Sequence, residues 1–460
     1  MFYNKKDPSK YFEDMMEQNA LNISPKDKFF VSGSIPSLYK NSMPFTPFID
    51  TLKDIKVPFD IDDLVIKLPF DINDLVDIYC GYLWIFFVTK HDVYISLSCH
   101  EKIISSKKLI FPQNIILSPS LYVDKIDSGC DHSMILLNDG TLFALGLNNN
   151  GQFGLIPDKP EQFRVNPIII SKDNFANQKV VNVVCGYYHT LVLTKNGTLY
   201  ATGRNEQSQI GHPGKKNVYK FEKIFYTDEY NNIYQNNEDI CLTNDPARGL
   251  VITKIASSSH NSFILTNDGK LYGTGDDRFH SMGKRINLNF KIINIPHIDL
   301  PIVDIWCTSL ATFIKLSNDD IFMVGNNTNR AMFTSDVDIE EFKINKYLSN
   351  KPITQLSGLY STIALDNDKN IYVSGNNKDY QLINTKQDNV ICQHNLELSK
   401  ILQKYPRTNI NIQCGFKACS ITLRGENRYT KYICQFITNL YKSIYANDSQ
   451  LSDINITCLT

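Results

Sequence analysis

Short apolar runs, each closed by a turn signal, recur along this chain. The clearest stretch is Val184 to Gly211, VCGYYHTLVLTKNGTLYATGRNEQSQIG. Thr190–Thr194 is short, apolar and rich in β-branched residues, which predicts a strand. Lys195-Asn196-Gly197 is a turn signal, because Asn and Gly tolerate the positive φ of tight hairpin turns. Thr198–Thr202 is the predicted return strand, and Gly203 ends it.

The first half of this hairpin occurs seven times, anchored at Gly81, Gly129, Gly186, Ser258, Thr308, Gly358 and Gly415. The spacing between successive anchors varies and is widest from Gly186 to Ser258. The second half ends at one fixed offset from each of the first six anchors, at Ser98, Gly146, Gly203, Gly275, Gly325 and Gly375. A constant offset inside the unit, with variable connections between units, is the mark of a structural repeat. Gly415 has no such second half after it, whereas Phe29–Gly33 is a second half with nothing before it. The expected fold is therefore all-β: a seven-bladed β-propeller in which N- and C-terminal segments share one blade. Closure of this kind removes free sheet edges. The expected domains are a polar tail over 1–27, the propeller over 28–425, and a tail over 426–460. Less regular segments such as Val180–Val184, Pro301–Ile305 and Ile353–Leu356 are expected as outer strands.

The repeat changes how the chemistry-bearing residues read. Cysteine recurs at one strand site, at Cys80, Cys185, Cys307 and Cys414, within a total of 11 and with no CxxC pair. That pattern predicts small buried apolar residues, not ligands or disulfide halves. Charge is balanced, 47 basic against 48 acidic residues, which argues against a whole-surface grip on nucleic acid. No apolar stretch reads as a leader or a bilayer span, so the expected setting is intracellular, cytoplasmic or nuclear, without a membrane.

The pattern Cys-Gly-x-x-His-Thr, a turn, Leu-Tyr-x-x-Gly-x-Asn, then Gly-Gln-x-Gly-Leu resembles the RCC1 (regulator of chromosome condensation) repeat. The clearest copies are Gly129–Leu155 and Cys185–Gly211. Histidine holds its position only at His132 and His189, with Trp84, Asn261, Ala311, Ser361 and Ala418 elsewhere. Both histidines are expected to be hydrogen-bonded within their blades. The anchor glycines Gly129, Gly186, Gly358 and Gly415 are expected to allow close backbone packing or an unusual φ near the axis.

Two regions interrupt the repeat. The wide spacing from Gly186 to Ser258 holds the insertion Phe225–Pro246, where Tyr226, Tyr230 and Tyr234 recur every fourth residue among Asp228, Glu229, Glu238 and Asp239. As an aromatic and acidic loop it is the candidate partner-binding segment, set against the reading of an asparagine-rich disordered insertion. Lys215, Lys216, Lys220 and Lys223 precede it as a sparse basic patch. In the tail, Ile433, Phe436, Ile437, Leu440, Tyr441 and Ile444 follow helical spacing through Arg428–Tyr445, predicting a short C-terminal helix. Leu451-Ser452-Asp453-Ile454-Asn455-Ile456-Thr457 then resembles the opening of a BTB/POZ domain, of which this chain would be a truncated form.

No catalytic motif, cofactor loop or metal-spaced cluster is recognised in the sequence. The expected function is a non-catalytic scaffold binding a protein partner through propeller loops. The RCC1 resemblance implies an alternative, nucleotide exchange on a small GTPase such as Ran. The BTB resemblance implies a third, a substrate adaptor for a cullin-type ubiquitin ligase where a complete BTB domain follows.

Overall fold

The computed structural model describes residues 70–433 with interruptions, the longest being 228–250. Residues 1–69 and 434–460 lie outside the description, and so do Phe29–Gly33, most of the expected C-terminal helix and the BTB-like ending. Seven β-sheets follow one another in chain order, and they are numbered 1 to 7 here. Their first strands are Leu75–Cys80, Val123–Ser128, Val180–Cys185, Ile252–Ser257, Ile302–Cys307, Ile353–Gly358 and Asn409–Cys414. These strands all line one axial cavity, so the architecture is an all-β propeller.

Sheet 3 sets the pattern. From axis to rim it runs Val180–Cys185, His189–Thr194, Leu199–Arg204, Asn217–Lys223, every pair antiparallel. The Thr194–Gly197 turn joins the central pair as expected, but Gly203 lies inside its strand, opposite His189. The expected placing of Val180–Val184, Pro301–Ile305 and Ile353–Leu356 at the rim is overturned: these segments fall in the innermost strands. Their low regularity has a physical source. An innermost strand lacks a partner on its axial side, and a bulge interrupts each near its first residue.

Six sheets are complete blades of four strands or more, where seven had been expected. Sheet 7 has three strands among the described residues, Asn409–Cys414, Cys419–Arg424 and Thr430–Ile433. Thr430–Ile433 pairs with Cys419–Arg424 at the place that the expected closure assigned to Phe29–Gly33. It is thus strand at the point where helical spacing predicted the start of the C-terminal helix. The one α-helix longer than a turn among the described residues, Leu396–Gln403, lies between sheets 6 and 7. No described helix is long and apolar enough to cross a membrane.

The core is a ring of layers between neighbouring sheets. Phe86, Ile126 and Phe143 fill the layer between sheets 1 and 2. Met134, Phe153, Phe175 and Val192 fill the next, then Leu191, Ile210, Ile264 and Phe290. Each of these large side chains, fully buried, contributes about 1.5–3 kcal/mol. Sheets 7 and 1 meet differently. Asp77, 1% exposed, accepts hydrogen bonds from Asn411 Nδ2 (3.1 Å) and Thr422 Oγ1 (2.6 Å), and Ser420 donates to the Ile78 carbonyl at 3.2 Å. Polar pairing between the last sheet and the first closes the circle.

The Gly-x-Asn element of the repeat now has a mechanical role. Asn205 Oδ1 accepts from Ile210 N at 3.1 Å while its Nδ2 donates to the His212 carbonyl at 2.6 Å. Asn148 and Asn327 brace their loops identically, onto Phe153 and Met332. Each brace drives an apolar residue of the following loop into the inter-sheet layer, where Phe153, Ile210 and Met332 are 0% exposed.

Candidate functional site

The first two strands of each sheet are joined near the axis, and these joints converge at one end of the cavity. The cavity has a volume of about 250 Å³ and is lined by residues of all seven innermost strands. Converging loops leave little room. A side chain at Gly186 would place its Cβ 1.9 Å from His189 Cε1, so the glycine is required for the histidine ring that packs over it. Gly203 has φ +108°, and a Cβ there would lie 2.5 Å from the Tyr188 carbonyl. Close packing thus belongs to the anchor glycines, and positive φ to Gly146, Gly203, Gly275, Gly325 and Gly375. Gly81, Gly129, Gly358 and Gly415 are likewise crowded, Gly129 by the Gly186 carbonyl and Gly415 by that of Gly81.

Through Nε2 the histidine rings link neighbouring sheets, where side-chain hydrogen bonds within their own blades had been expected. His132 Nε2 of sheet 2 reaches Thr190 Oγ1 of sheet 3 at 3.0 Å. His189 Nε2 of sheet 3 reaches Ser262 Oγ of sheet 4 at 2.9 Å. Each hydroxyl donates onward to a loop carbonyl, Thr190 to Gln152 (2.7 Å) and Ser262 to Gln209 (2.6 Å). A hydroxyl has one hydrogen, so in both pairs the imidazole Nε2–H must be the donor. Burial, then the charges of His132 and His260, holds the His189 pKa down at about 3. His189 is therefore neutral, with its donor engaged and its other nitrogen buried against Gly186. That state does not suit proton transfer to a ligand.

The recurrent thiols are equally quiet. Burial pushes Cys80 and Cys307 up to about 12, and Cys185 well above the usual thiol value. They are protonated, small and buried or half-buried at the cavity wall. Cys414 departs from the expectation, since it is joined to Cys419 directly across the hairpin in sheet 7. Among the described residues no group of three or more His, Cys, Asp or Glu side chains is placed to hold a metal ion.

What occupies the mouth is tyrosine. Tyr82 packs edge-on against Tyr187 (5.8 Å between centroids) and Tyr360 (6.5 Å). The Tyr187 hydroxyl lies 3.3 Å from that of Tyr360 and 3.2 Å from Ser309 Oγ. Tyr188 lies beside Tyr187, beneath the Arg204 guanidinium. All four rings are half-buried. Burial, then Tyr187 and Cys130, raises Tyr82 to about 12, and burial likewise raises Tyr188 and Tyr360, so these hydroxyls are neutral donors and acceptors. Sequence reasoning weighed the glycine and histidine of CGYYH and passed over the two residues between them. The signal was present: the residues just after the anchors read Tyr82, Tyr187-Tyr188, His260 and Tyr360.

The candidate insertion begins at the opposite radius. Tyr226–Thr227 forms a short strand parallel to Asn287–Ile292, the outer strand of sheet 4. Asp228, Glu229, Tyr230 and Tyr234 lie outside the described residues. Lys216, Lys220 and Lys223 are exposed along the outer edge of sheet 3, and Lys215 is outside the description.

A family model described as Regulator of chromosome condensation (RCC1) repeat matches residues 123–152, 180–209 and 252–280, and a second so described matches 139–193. The chain is 25% identical over 223 residues to the ultraviolet-B receptor UVR8 of Arabidopsis thaliana, covering 48% of this chain and 45% of that one. It is 24% identical over 225 residues to the human probable E3 ubiquitin-protein ligase HERC6, covering 47% and 19%. The chain thus spans less than half the length of these relatives. Among solved structures it resembles Prp20p of Saccharomyces cerevisiae, a protein studied for its binding to Gsp1p and histones, with TM-score 0.54, 17% identity and coverage of 76% and 82%. The chain carries RCC1 repeats and folds as an RCC1-like β-propeller.

Proposed function

We propose that this propeller is a protein-interaction module that seats its partner on the tyrosine-bearing mouth of the axis. The observation that carries the reading is the convergence of Tyr82, Tyr187, Tyr188 and Tyr360, each half-buried, on loops fixed by rigid sheets. Tyrosine offers a large, stiff contact area with a polar tip, the profile of an interface anchor. The insertion Phe225–Pro246 would add a second contact from the rim of sheet 4. Replacing Tyr82 and Tyr360 together by alanine is expected to abolish recovery of the partner in pull-downs while the thermal unfolding profile stays cooperative. Undiminished recovery by that variant sinks the reading.

A second reading, nucleotide exchange on a small GTPase, is supported by the likeness in fold to Prp20p and by that protein's binding to Gsp1p. Exchange would act by differential binding to the nucleotide-free state, without chemistry by the propeller's own side chains. Release of labelled GDP across a GTPase panel tests it, and no acceleration on any member removes it. The adaptor role rests on the BTB-like ending, which lies outside the described residues.

A further inference from the structure

We infer that the sector of the mouth between sheets 3 and 4 receives an acidic side chain of the partner, its carboxylate at the Arg278 end of an arc of rings that runs on to Arg204. This rests on the reading of the mouth as a protein interface, and it names the chemistry recognised there. The arc is continuous. Arg204 stands 5.8 Å over the Tyr188 ring. Tyr188 to Tyr187 is 6.2 Å, Tyr187 to His260 is 5.7 Å, and His260 to Phe279 is 5.6 Å between centroids. Arg278 precedes Phe279 in the chain and its charge acts on His260, so the arc carries an arginine toward either end.

Both arginines are available. Arg204 pairs with Glu206, and Arg278 with Asp276 at 3.3 Å. Such pairs in contact with water are worth about 0–1 kcal/mol, so a partner carboxylate can replace them. Arg278 has a side chain 53% exposed, in position to swing onto a ligand. His260, at the centre of the arc, is 8% exposed, and its Nδ1 is buried with no partner among the described residues. Burial, followed by the charges of Arg278 and Arg204, pulls its pKa down to about 4. The imidazole is thus kept neutral chiefly by burial, with the two arginine charges adding to it. Asp131 lies toward the other end, where it raises Tyr188 and accepts from Gln152 Nε2 at 3.1 Å. The carboxylate is accordingly favoured at the Arg278 end.

A peptide fits this charge pattern better than a nucleic acid. A run of phosphates needs a row of cations, and the arc offers an arginine only toward each end, each beside a carboxylate. The rings between supply the apolar and stacking contacts that side chains flanking an acid can use.

The test uses the full chain and fluorescence anisotropy. The probes are a labelled Glu-Tyr repeat peptide, its Gln-Tyr twin, and a single-stranded oligonucleotide of matched charge. The Glu peptide is expected to bind about tenfold more tightly than its twin, a margin that salt reduces. Combined Arg204→Gln and Arg278→Gln should erase that margin. Lys172→Gln, on the short helical turn between sheets 2 and 3, should leave it intact. Matching melting curves keep the comparison to surface chemistry. Equal binding of the two peptides, a margin unchanged in the double variant, or tighter binding of the oligonucleotide overturns the inference. If the margin is absent while Tyr187→Ala still weakens both peptides, the mouth is an interface without acid preference. If Tyr187→Ala also changes nothing, the reading of the mouth itself falls.

Discussion

Sheets 3 and 5 carry the same four antiparallel strands in the same order, yet they tie to their neighbours by different chemistry. In sheet 3 the anchor is Gly186, His189 fills the space it leaves, and the imidazole reaches Ser262 of sheet 4. In sheet 5 the anchor is Thr308 and Ala311 stands at the histidine position. No imidazole stands at that position to reach sheet 6, and Thr362 Oγ1, the hydroxyl equivalent to Ser262, is buried without a partner among the described residues. Sheet 5 instead sends Lys315 Nζ to the Ile353 carbonyl at 2.9 Å. What both keep is the glycine near the end of the third strand. Gly203 and Gly325 each stand at positive φ, packed against the carbonyls of Tyr188 and Leu310. Backbone geometry is the invariant, and the side-chain link is exchangeable. Histidine and anchor glycine are coupled, because the ring occupies the place of the missing Cβ.

The largest effect should come from filling that place. Gly186→Val puts atoms inside the His189 ring, and we expect a loss of roughly 3 kcal/mol or more in urea unfolding. Thr308→Val in sheet 5, where the Ala311 amide loses a 3.1 Å hydroxyl bond, should cost only about 1 kcal/mol. Similar costs at the two positions would break the comparison.

His189→Ala should cost about 2–3 kcal/mol, from the cavity and the lost bond to Ser262. The link should also be transplantable. Ala311→His alone is expected to destabilise by about 1–3 kcal/mol, because Thr308 keeps its Cβ in the way. Adding Thr308→Gly should recover at least about 1 kcal/mol beyond additivity, as the ring reaches Thr362. A double-mutant cycle in which the two changes simply add would refute the coupling.

The effect smallest per step is a pH slope, read one pH unit at a time. His189 has a folded pKa of about 3 against the ordinary 6.5, so the unfolded chain binds the extra proton. Stability is then unaffected above pH 6.5 and falls as the pH drops from there toward 3, by about 1.4 kcal/mol per unit at most from this group. His189→Gln should flatten unfolding free energies measured across that window relative to the unaltered protein. An unchanged slope would place the proton elsewhere.

The repeat made much of the fold legible. A constant offset between anchor and second half marked the central hairpins, whereas positive φ fell at Gly146, Gly203, Gly275, Gly325 and Gly375 and not at the anchor glycines where it had been looked for. The site was less legible. Tyr82, Tyr187 and Tyr360 belong to the first, third and sixth copies of the unit, and no local pattern says that they touch. Their meeting follows from the curvature of the ring, which is a property of packing between sheets. The same limit explains the misplaced strands. Val180–Val184 and Ile353–Leu356 read as irregular because they lack a hydrogen-bonding neighbour on one side, and an axis and a rim provide that condition equally.

By itself, then, the sequence determined what depends on neighbours in the chain: hairpins, turns and the constant offset within each unit. Tertiary structure alone decided which strand faces the axis and which sheet each histidine serves. It also put Thr430–Ile433 at the third strand of sheet 7 and brought the tyrosines together at the mouth. The reason is physical. Local propensity acts over a few residues, whereas these arrangements come from close packing and from the demand that buried polar groups find partners, wherever in the chain those partners lie.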